Sequence, residues 1–335
     1  MAANLSFIGE QMTQLMYIFP GQGSQYKGIG KDLYESCESA RNIYHQASEL
    51  LGYDLVELSF SDQQEQINLT RYTQPVLFTH QIACLKVFNE LTDNQYTPGL
   101  LAGHSLGEYT ALVAAGSISF KDGLELVSKR GELMGDFGSG SMLALPFNQV
   151  ESAALAEDFG CQVATINLQQ QTVVGGTESN IDQLQEHILA LHPKKRTVKL
   201  DTEGAFHTDL MKDAADEFKI MLDRTHFGSL NAPVLSNYSA DIHQQDGSST
   251  ADLLYQQLYK PVNWLGCMQT SLSHQIDTII EFGGGIGKGE TPEEKRPNLE
   301  AITKKVFRSF EREINYYSSI NRSTLNATAN SLLNL

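Results

Sequence analysis

The chain has 335 residues, 41% of them apolar, and carries 24 Lys plus Arg against 40 Asp plus Glu, a formal net charge of −16. The apolar share supports a packed core and excludes wholesale disorder, and the length fits one large domain or one carrying a smaller insert. Such acidity argues against nucleic acid and anionic membrane surfaces as partners, and no run of about 18 apolar residues exists to span a bilayer.

The N-terminal stretch, residues 1–11, lacks the basic-then-apolar order of a signal peptide and reads as a short extension before Met12. The first strand is expected at Leu15–Phe19, ended by Pro20-Gly21, with Gly21-Gln22-Gly23-Ser24-Gln25 as a tight loop. Helical stretches continue to about Leu58. Residues 73–91 read as a helix entered at Pro75. Gly99–Ala102 is a short apolar run suited to a buried parallel strand, followed by a glycine-flanked turn and a helix over Glu108–Ala115. Another helix is expected over 120–137.

Residues 141–206 change character. Short strands (142–145, 162–166, 172–174, 197–200) alternate with helices (148–159, 179–191) in the order strand–helix–strand–strand–helix–strand, which is ferredoxin-like. Beyond Phe206 the chain returns to long helices and apolar strands at Val234–Asn237 and Thr278–Phe282. The expected fold class is therefore α/β. The core is 12–140 with 207–316, the small inserted unit is 141–206, and the Ser-, Thr- and Asn-rich 317–335 reads as a tail or linker.

Gly103-His104-Ser105-Leu106-Gly107 is a G-x-S-x-G turn between an expected strand and an expected helix. That placement suits a nucleophilic serine, because the strained turn exposes the hydroxyl and the helix N-terminus favours developing negative charge. A serine needs a base. Among nine histidines, His207 in Gly204-Ala205-Phe206-His207 is the better candidate, since it lies where the small unit rejoins the core. His104 adjoins the serine and reads as a packing or orienting residue. Helix 120–137 places Leu126, Arg130, Leu133 and Phe137 on one stripe, so a guanidinium lies within an apolar face. Burial of that charge demands an anion. Two readings stand: a structural ion pair with Glu125, Glu132 or a distant acid, or a fork for a substrate carboxylate.

Neither glycine loop is a nucleotide fingerprint. Gly283-Gly284-Gly285-Ile286-Gly287-Lys288-Gly289 has Lys288 where a dinucleotide loop needs its last glycine, and Phe282 where a phosphate loop needs its first. Metal is disfavoured, since no H-x-x-x-H spacing exists, and the four cysteines (Cys37, Cys84, Cys161, Cys267) form no C-x-x-C pair and fit a reducing cytoplasm.

Together these residues resemble the malonyl-CoA:acyl carrier protein transacylases, especially the discrete acyltransferases of polyketide synthases. The motifs are Phe19-Pro-Gly-Gln-Gly-Ser-Gln25, Tyr72-Thr-Gln-Pro75, Gly103-His-Ser-Leu-Gly-Glu-Tyr109, Lys129-Arg-Gly-Glu-Leu-Met134, Gly204-Ala-Phe-His207 and Gln257-Leu-Tyr-Lys-Pro-Val-Asn-Trp264. The resemblance implies an α/β-hydrolase-like core with a ferredoxin-like subdomain. It implies Ser105 as nucleophile and His207 as base and acid, oriented by the main-chain carbonyl of Gln257. The N–H groups of Gln22 and Leu106 would form the oxyanion hole, and Arg130 would hold the malonyl carboxylate. Asn167 matches an asparagine near the family's active site, and Phe206 would crowd an α-methyl branch and so favour malonyl over methylmalonyl. The implied substrates are malonyl-CoA and the phosphopantetheine thiol of an acyl carrier protein, with no resident cofactor and a cytoplasmic monomer expected. The rival within this fold is an editing acyl hydrolase, whose members tend to lack the arginine. Lys194-Lys195-Arg196 and residues 295–312, which hold six basic and two acidic groups, are candidate landing sites for an acidic carrier.

Overall fold

The computed structural model describes residues 14–334, so the expected extension over residues 1–11 lies outside the described residues. The elements run β1 Leu15–Phe19, α1 Lys31–Ser36, α2 Glu38–Leu51, α3 Leu55–Phe60, α4 Thr70–Leu91, β2 Leu100–Gly103, α5 Gly107–Ala114 and α6 Phe120–Asp136. The small unit comes next as β3 Ser141–Leu145, α7 Gln149–Glu157, β4 Gln162–Leu168, β5 Gln171–Gly176, α8 Glu178–Leu191 and β6 Val198–Leu200. The chain then continues through α9 Lys212–Leu222, α10 Gly247–Tyr259, α11 Trp264–Ser273, β7 Thr278–Phe282, α12 Glu300–Ser309, β8 Asn315–Ser319 and α13 Arg322–Leu333.

Two sheets organise this order. The larger is wholly parallel, ordered β2-β1-β7-β8. Its continuous apolar runs, Leu-Met-Tyr-Ile-Phe in β1 and Leu-Leu-Ala-Gly in β2, are buried throughout because helices cover both faces. Alternate residues of β1 enter different cores: Leu15, Tyr17 and Phe19 join the one built around α2, α4 and α6, and Met16 and Ile18 join the one around Trp264 and Phe307. The smaller sheet is antiparallel, ordered β4-β5-β3-β6, which is the ferredoxin-like arrangement expected for 141–206. It has its own apolar cluster of Leu143, Leu145, Val174, Ile181, Leu184 and Ile188.

Two expectations are corrected. Of the tail expected over 317–335, the described residues to 334 are no linker. β8 extends the parallel sheet by pairing with β7 from Thr278↔Asn315 to Phe282↔Ser319, and α13 buries Leu325, Ala329 and Leu332 against the core. The stripe has only three buried apolar residues, but polar neighbours add specific bonds. Asn321 caps the helix by accepting from the Thr324 N–H, Thr328 donates to the Ser318 carbonyl, and the buried His80 ring bonds the Ile320 carbonyl. Composition alone scores such a segment as disordered. The second correction concerns Val234–Asn237, which forms two isolated bridges, Val234 parallel to Leu101 and Leu235 antiparallel to Ile242, rather than a strand. The chain turns back at once, with the Ser236 N–H donating to Asp241, and so leaves Asn237 at the serine turn.

Candidate active site

The serine turn is built from β2 and α5. Ser105 has φ 52, a left-handed conformation that costs a non-glycine residue energy and is held only by its surroundings. A Cβ at Gly103 would collide with the backbone of Gly107, and one at Gly107 with the carbonyl of Phe19, so both glycines are required for strand and helix to meet this closely. The Asn237 side chain accepts from the Ser105 N–H at 2.6 Å and donates to the Gly103 carbonyl at 2.7 Å, which pins the turn from outside.

His207 is the histidine that reaches the serine. Its Nδ1–H donates to the Gln257 carbonyl at 2.7 Å, which leaves a lone pair on Nε2, 2.8 Å from the Ser105 hydroxyl. Burial, together with the neighbouring Arg130 charge, lowers the His207 pKa to about 3, so the ring is neutral and able to accept a proton. His104 points elsewhere: its Nε2–H donates to Asn167 Oδ1 at 3.0 Å, beside the Trp264 ring.

Arg130 is 1% exposed, yet it makes no ion pair among the described residues. The two nearby acids that could have paired with it are occupied elsewhere, Glu125 with Lys121 and Glu132 with Lys129. The guanidinium meets only neutral acceptors: Nη1 donates to Gln74 Oε1 at 2.8 Å, and Nη2 donates to Gln257 Oε1 and to Ser105 Oγ, both at 3.0 Å. Its Nε is buried without a partner. Gln74 is itself held by Thr70, whose hydroxyl donates to the Gln22 side chain at 2.7 Å. The acid whose charge reaches it, Glu108, stands behind the Gln257 amide rather than in contact, so this guanidinium, with donors to spare beside the serine, is set to receive a carboxylate.

These groups open into one cavity of about 690 Å³, lined by Gln22, Ser105, Leu106, Arg130, Asn167, Phe206 and His207 among others. The N–H groups of Gln22 and Leu106 have no acceptor among the described residues. Phe206 is buried on the wall. All eight residues singled out in the sequence thus meet around this site, Gln257 through its carbonyl and its amide. Sequence reasoning missed Gln74, Glu108, Asn237 and the side chain of Gln257, which hold the others. Their only signal was membership of the family-like motifs, and Asn237 had none. Also missed were Asn298, Leu299 and Ile302, which form one wall. That wall is anchored by the buried Glu281 carboxylate, which accepts the N–H groups of Asn298 and Leu299 and the Tyr316 hydroxyl. Among the described residues no group of three or more His, Cys, Asp or Glu could hold a metal ion, and no helix is long and apolar enough to cross a membrane.

Comparison with known proteins agrees with this geometry. The family model for the acyl transferase domain matches residues 16–282. The malonyl CoA-acyl carrier protein transacylase of Bacillus subtilis is 38% identical over 283 residues, covering 82% of this chain and 88% of that protein. The crystal structure of the transacylase from Clostridium perfringens superposes with a TM-score of 0.85 at 28% identity, covering 96% of this chain and 98% of that one. A malonyl-transacylase solved in complex with a type II PKS acyl-carrier protein superposes with a TM-score of 0.84 at 28% identity, covering 95% of this chain and 100% of that one. With four-fifths of its length matched by the family model and its serine turn, histidine and arginine assembled in one cavity, the chain belongs to the acyl transferase domain family.

Proposed function

We propose that the chain transfers a malonyl group from malonyl-CoA, through an ester on Ser105, to the phosphopantetheine thiol of an acyl carrier protein. The observation that carries this reading is the buried Arg130, which touches the Ser105 hydroxyl and has no anionic partner among the described residues. A malonyl carboxylate supplies the missing charge and places the thioester carbon at the serine.

In the first half-reaction His207 Nε2 accepts the Ser105 proton as Oγ attacks the thioester carbon. The N–H groups of Gln22 and Leu106 donate to the oxyanion, an effect worth about 3–4 kcal/mol per donor. The carbon–sulfur bond breaks, the coenzyme A sulfur takes the proton from His207, and malonyl-Ser105 remains. In the second half-reaction the carrier thiol gives its proton to His207 and attacks the ester, and Ser105 Oγ recovers that proton as it leaves. The Gln257 carbonyl keeps the ring in the tautomer that both halves need, and no carboxylate is required behind the histidine.

Arg130 also separates this reading from an editing hydrolase, whose neutral acyl chains give a buried guanidinium nothing to bind. The likeness to the transacylase solved with a type II PKS carrier supports a polyketide setting, and we read the chain as a cytoplasmic monomer with no resident cofactor. Brief incubation with labelled malonyl-CoA labels the protein at Ser105, and mass spectrometry then tracks the label onto several carrier proteins. Labelling that persists in Ser105→Ala overturns the mechanism. Release of acyl groups into water with no preference for malonyl favours the hydrolase.

A further inference from the structure

Behind the site lies a second, fully buried group that takes no part in the catalytic steps. His243, just before α10, has a side chain with no exposure, and its Nε2–H donates to Glu108 Oε1 at 2.8 Å. Glu108 lies in the first turn of α5, three residues after the serine, and is equally buried. Its other oxygen accepts the Asn237 N–H at 3.0 Å and the Gln257 Nε2–H at 3.0 Å.

The amide of Gln257 links this pair to the arginine. Its Nε2 gives one hydrogen to Glu108 and the other to the Ser105 carbonyl, 2.7 Å away. With both hydrogens committed, Oε1 must face the opposite side, where it accepts from Arg130 Nη2. Were the amide turned over, its NH2 group would face the guanidinium, donor against donor. Glu108 thus fixes the sense of the one amide that joins the arginine to the serine turn. Through the Asn237 N–H it also fixes the side chain that pins the Ser105 N–H. His243 in turn occupies the remaining Glu108 oxygen and holds the carboxylate in that rotation, although its own Nδ1 is buried without a partner.

We propose that Glu108 and His243 form a positioning pair which, through Gln257 and Asn237, holds Arg130 in register with Ser105 and so sets the preference for a carboxylate-bearing acyl group. The proposal rests on the reading that Arg130 binds the malonyl carboxylate. Neither residue touches substrate. Loosening the serine turn through Asn237 slows every acyl group alike, whereas the orientation of Arg130 matters for malonyl and not for an acyl group lacking the carboxylate, so a ratio of the two rates reads the second effect.

The test measures the rate of Ser105 acylation at subsaturating malonyl-CoA and at subsaturating acetyl-CoA, the neutral probe. The ratio of the two rates is the readout. Glu108→Met keeps the length of the side chain but accepts from neither Asn237 nor Gln257, and His243→Phe fills the ring's space without a donor. Each lowers the malonyl-to-acetyl ratio about tenfold, the loss of roughly one hydrogen bond to a charged group. His243→Gln restores a donor toward Glu108 and keeps the ratio within about twofold of the parent. If Glu108→Met or His243→Phe leaves the ratio unchanged, or lowers both rates equally, the pair is merely structural and the proposal falls. Should one of the two fail to fold, the other decides the matter alone. Arg130→Ala separates the two levels. If it leaves the ratio intact, the carboxylate reading itself fails. If it collapses the ratio while Glu108→Met does not, only the positioning pair is lost.

Discussion

The two sheets divide the labour differently. In the parallel sheet β1, β2 and β7 are buried along their whole length, and Gln22, Ser105 and Leu106 stand just beyond the C-terminal ends of β1 and β2. The C-terminal edge of an open parallel sheet is where ligands collect, because loops and helix N-termini converge there. The antiparallel sheet packs one face on its own helices α7 and α8 and turns the other toward the core and the cavity, and its edge strand β6 is largely exposed. It lends the cavity Asn167, Val173 and Leu200 as wall, and then delivers Phe206 and His207 as the chain leaves it. The serine turn thus belongs to the parallel layer, and part of the cavity wall to the smaller unit. The proposed base, His207, lies at the joint, so the two units must stay docked for Ser105 and His207 to remain 2.8 Å apart.

Cutting the joint has the largest effect. His207→Ala removes the proton acceptor and lowers single-turnover acylation of Ser105 by about 10²–10⁴-fold, with malonyl-CoA protection of the fold retained. Loss of less than tenfold would place the base elsewhere. Next comes the packing contrast. Leu325→Ala in α13 opens a cavity against the parallel sheet and costs about 2–5 kcal/mol in urea denaturation. The same truncation at Val198, 44% exposed on β6, costs little. Equal costs would deny that the C-terminal helix belongs to the core. Smaller again is selectivity at the wall. Phe206→Ser relieves crowding at the α-carbon and shifts the methylmalonyl-to-malonyl ratio by about 1–3 kcal/mol, read by competition between the two thioesters.

Charge on the small unit should matter only for the macromolecular step. Lys194 and Arg196 are exposed beside β6, so reversing both to Glu slows transfer to carrier protein several-fold, more at low salt, and spares Ser105 labelling. Equal slowing of both half-reactions refutes a docking role. The second basic stretch is less free than its composition suggests. Lys295 folds onto the carbonyls of Gly287 and Gly289, and Lys304 pairs with Glu300.

Acid gives the smallest effect over the working range. His207 is held down to about 3, so acylation at subsaturating malonyl-CoA stays flat from pH 8 to about 5. A fall centred near 6.5 would show an ordinary imidazole. The same shift enters stability. The unfolded chain protonates His207 near 6.5 and His80 likewise, while the native rings stay neutral down to about 3 and about 4. The unfolded state therefore binds more protons in that window. The stability these rings contribute is full above about 6.5 and is lost as the pH falls.

Local chemistry made much of this legible from the residues alone. Apolar runs bounded by glycine and proline marked β1, β2 and β7. The alternation of short strands and helices marked the ferredoxin-like unit, and the G-x-S-x-G turn marked Ser105, because backbone strain and close packing are properties of neighbours in the chain. Helical spacing placed Arg130 on an apolar face and raised the question of its anion. Its answer needed the tertiary structure, which put Glu125 and Glu132 on other partners and left neutral amides around the guanidinium. The same holds for His207 among nine histidines, for Asn237 and Glu108 behind the serine, and for Asn298 and Leu299 on the wall. Each depends on a contact between residues far apart in sequence, and periodicity carries no record of such contacts. The C-terminal helix shows the limit most plainly. Its three buried apolar residues are too few to announce a core element, and it takes the capping and hydrogen bonding of polar neighbours to make it one.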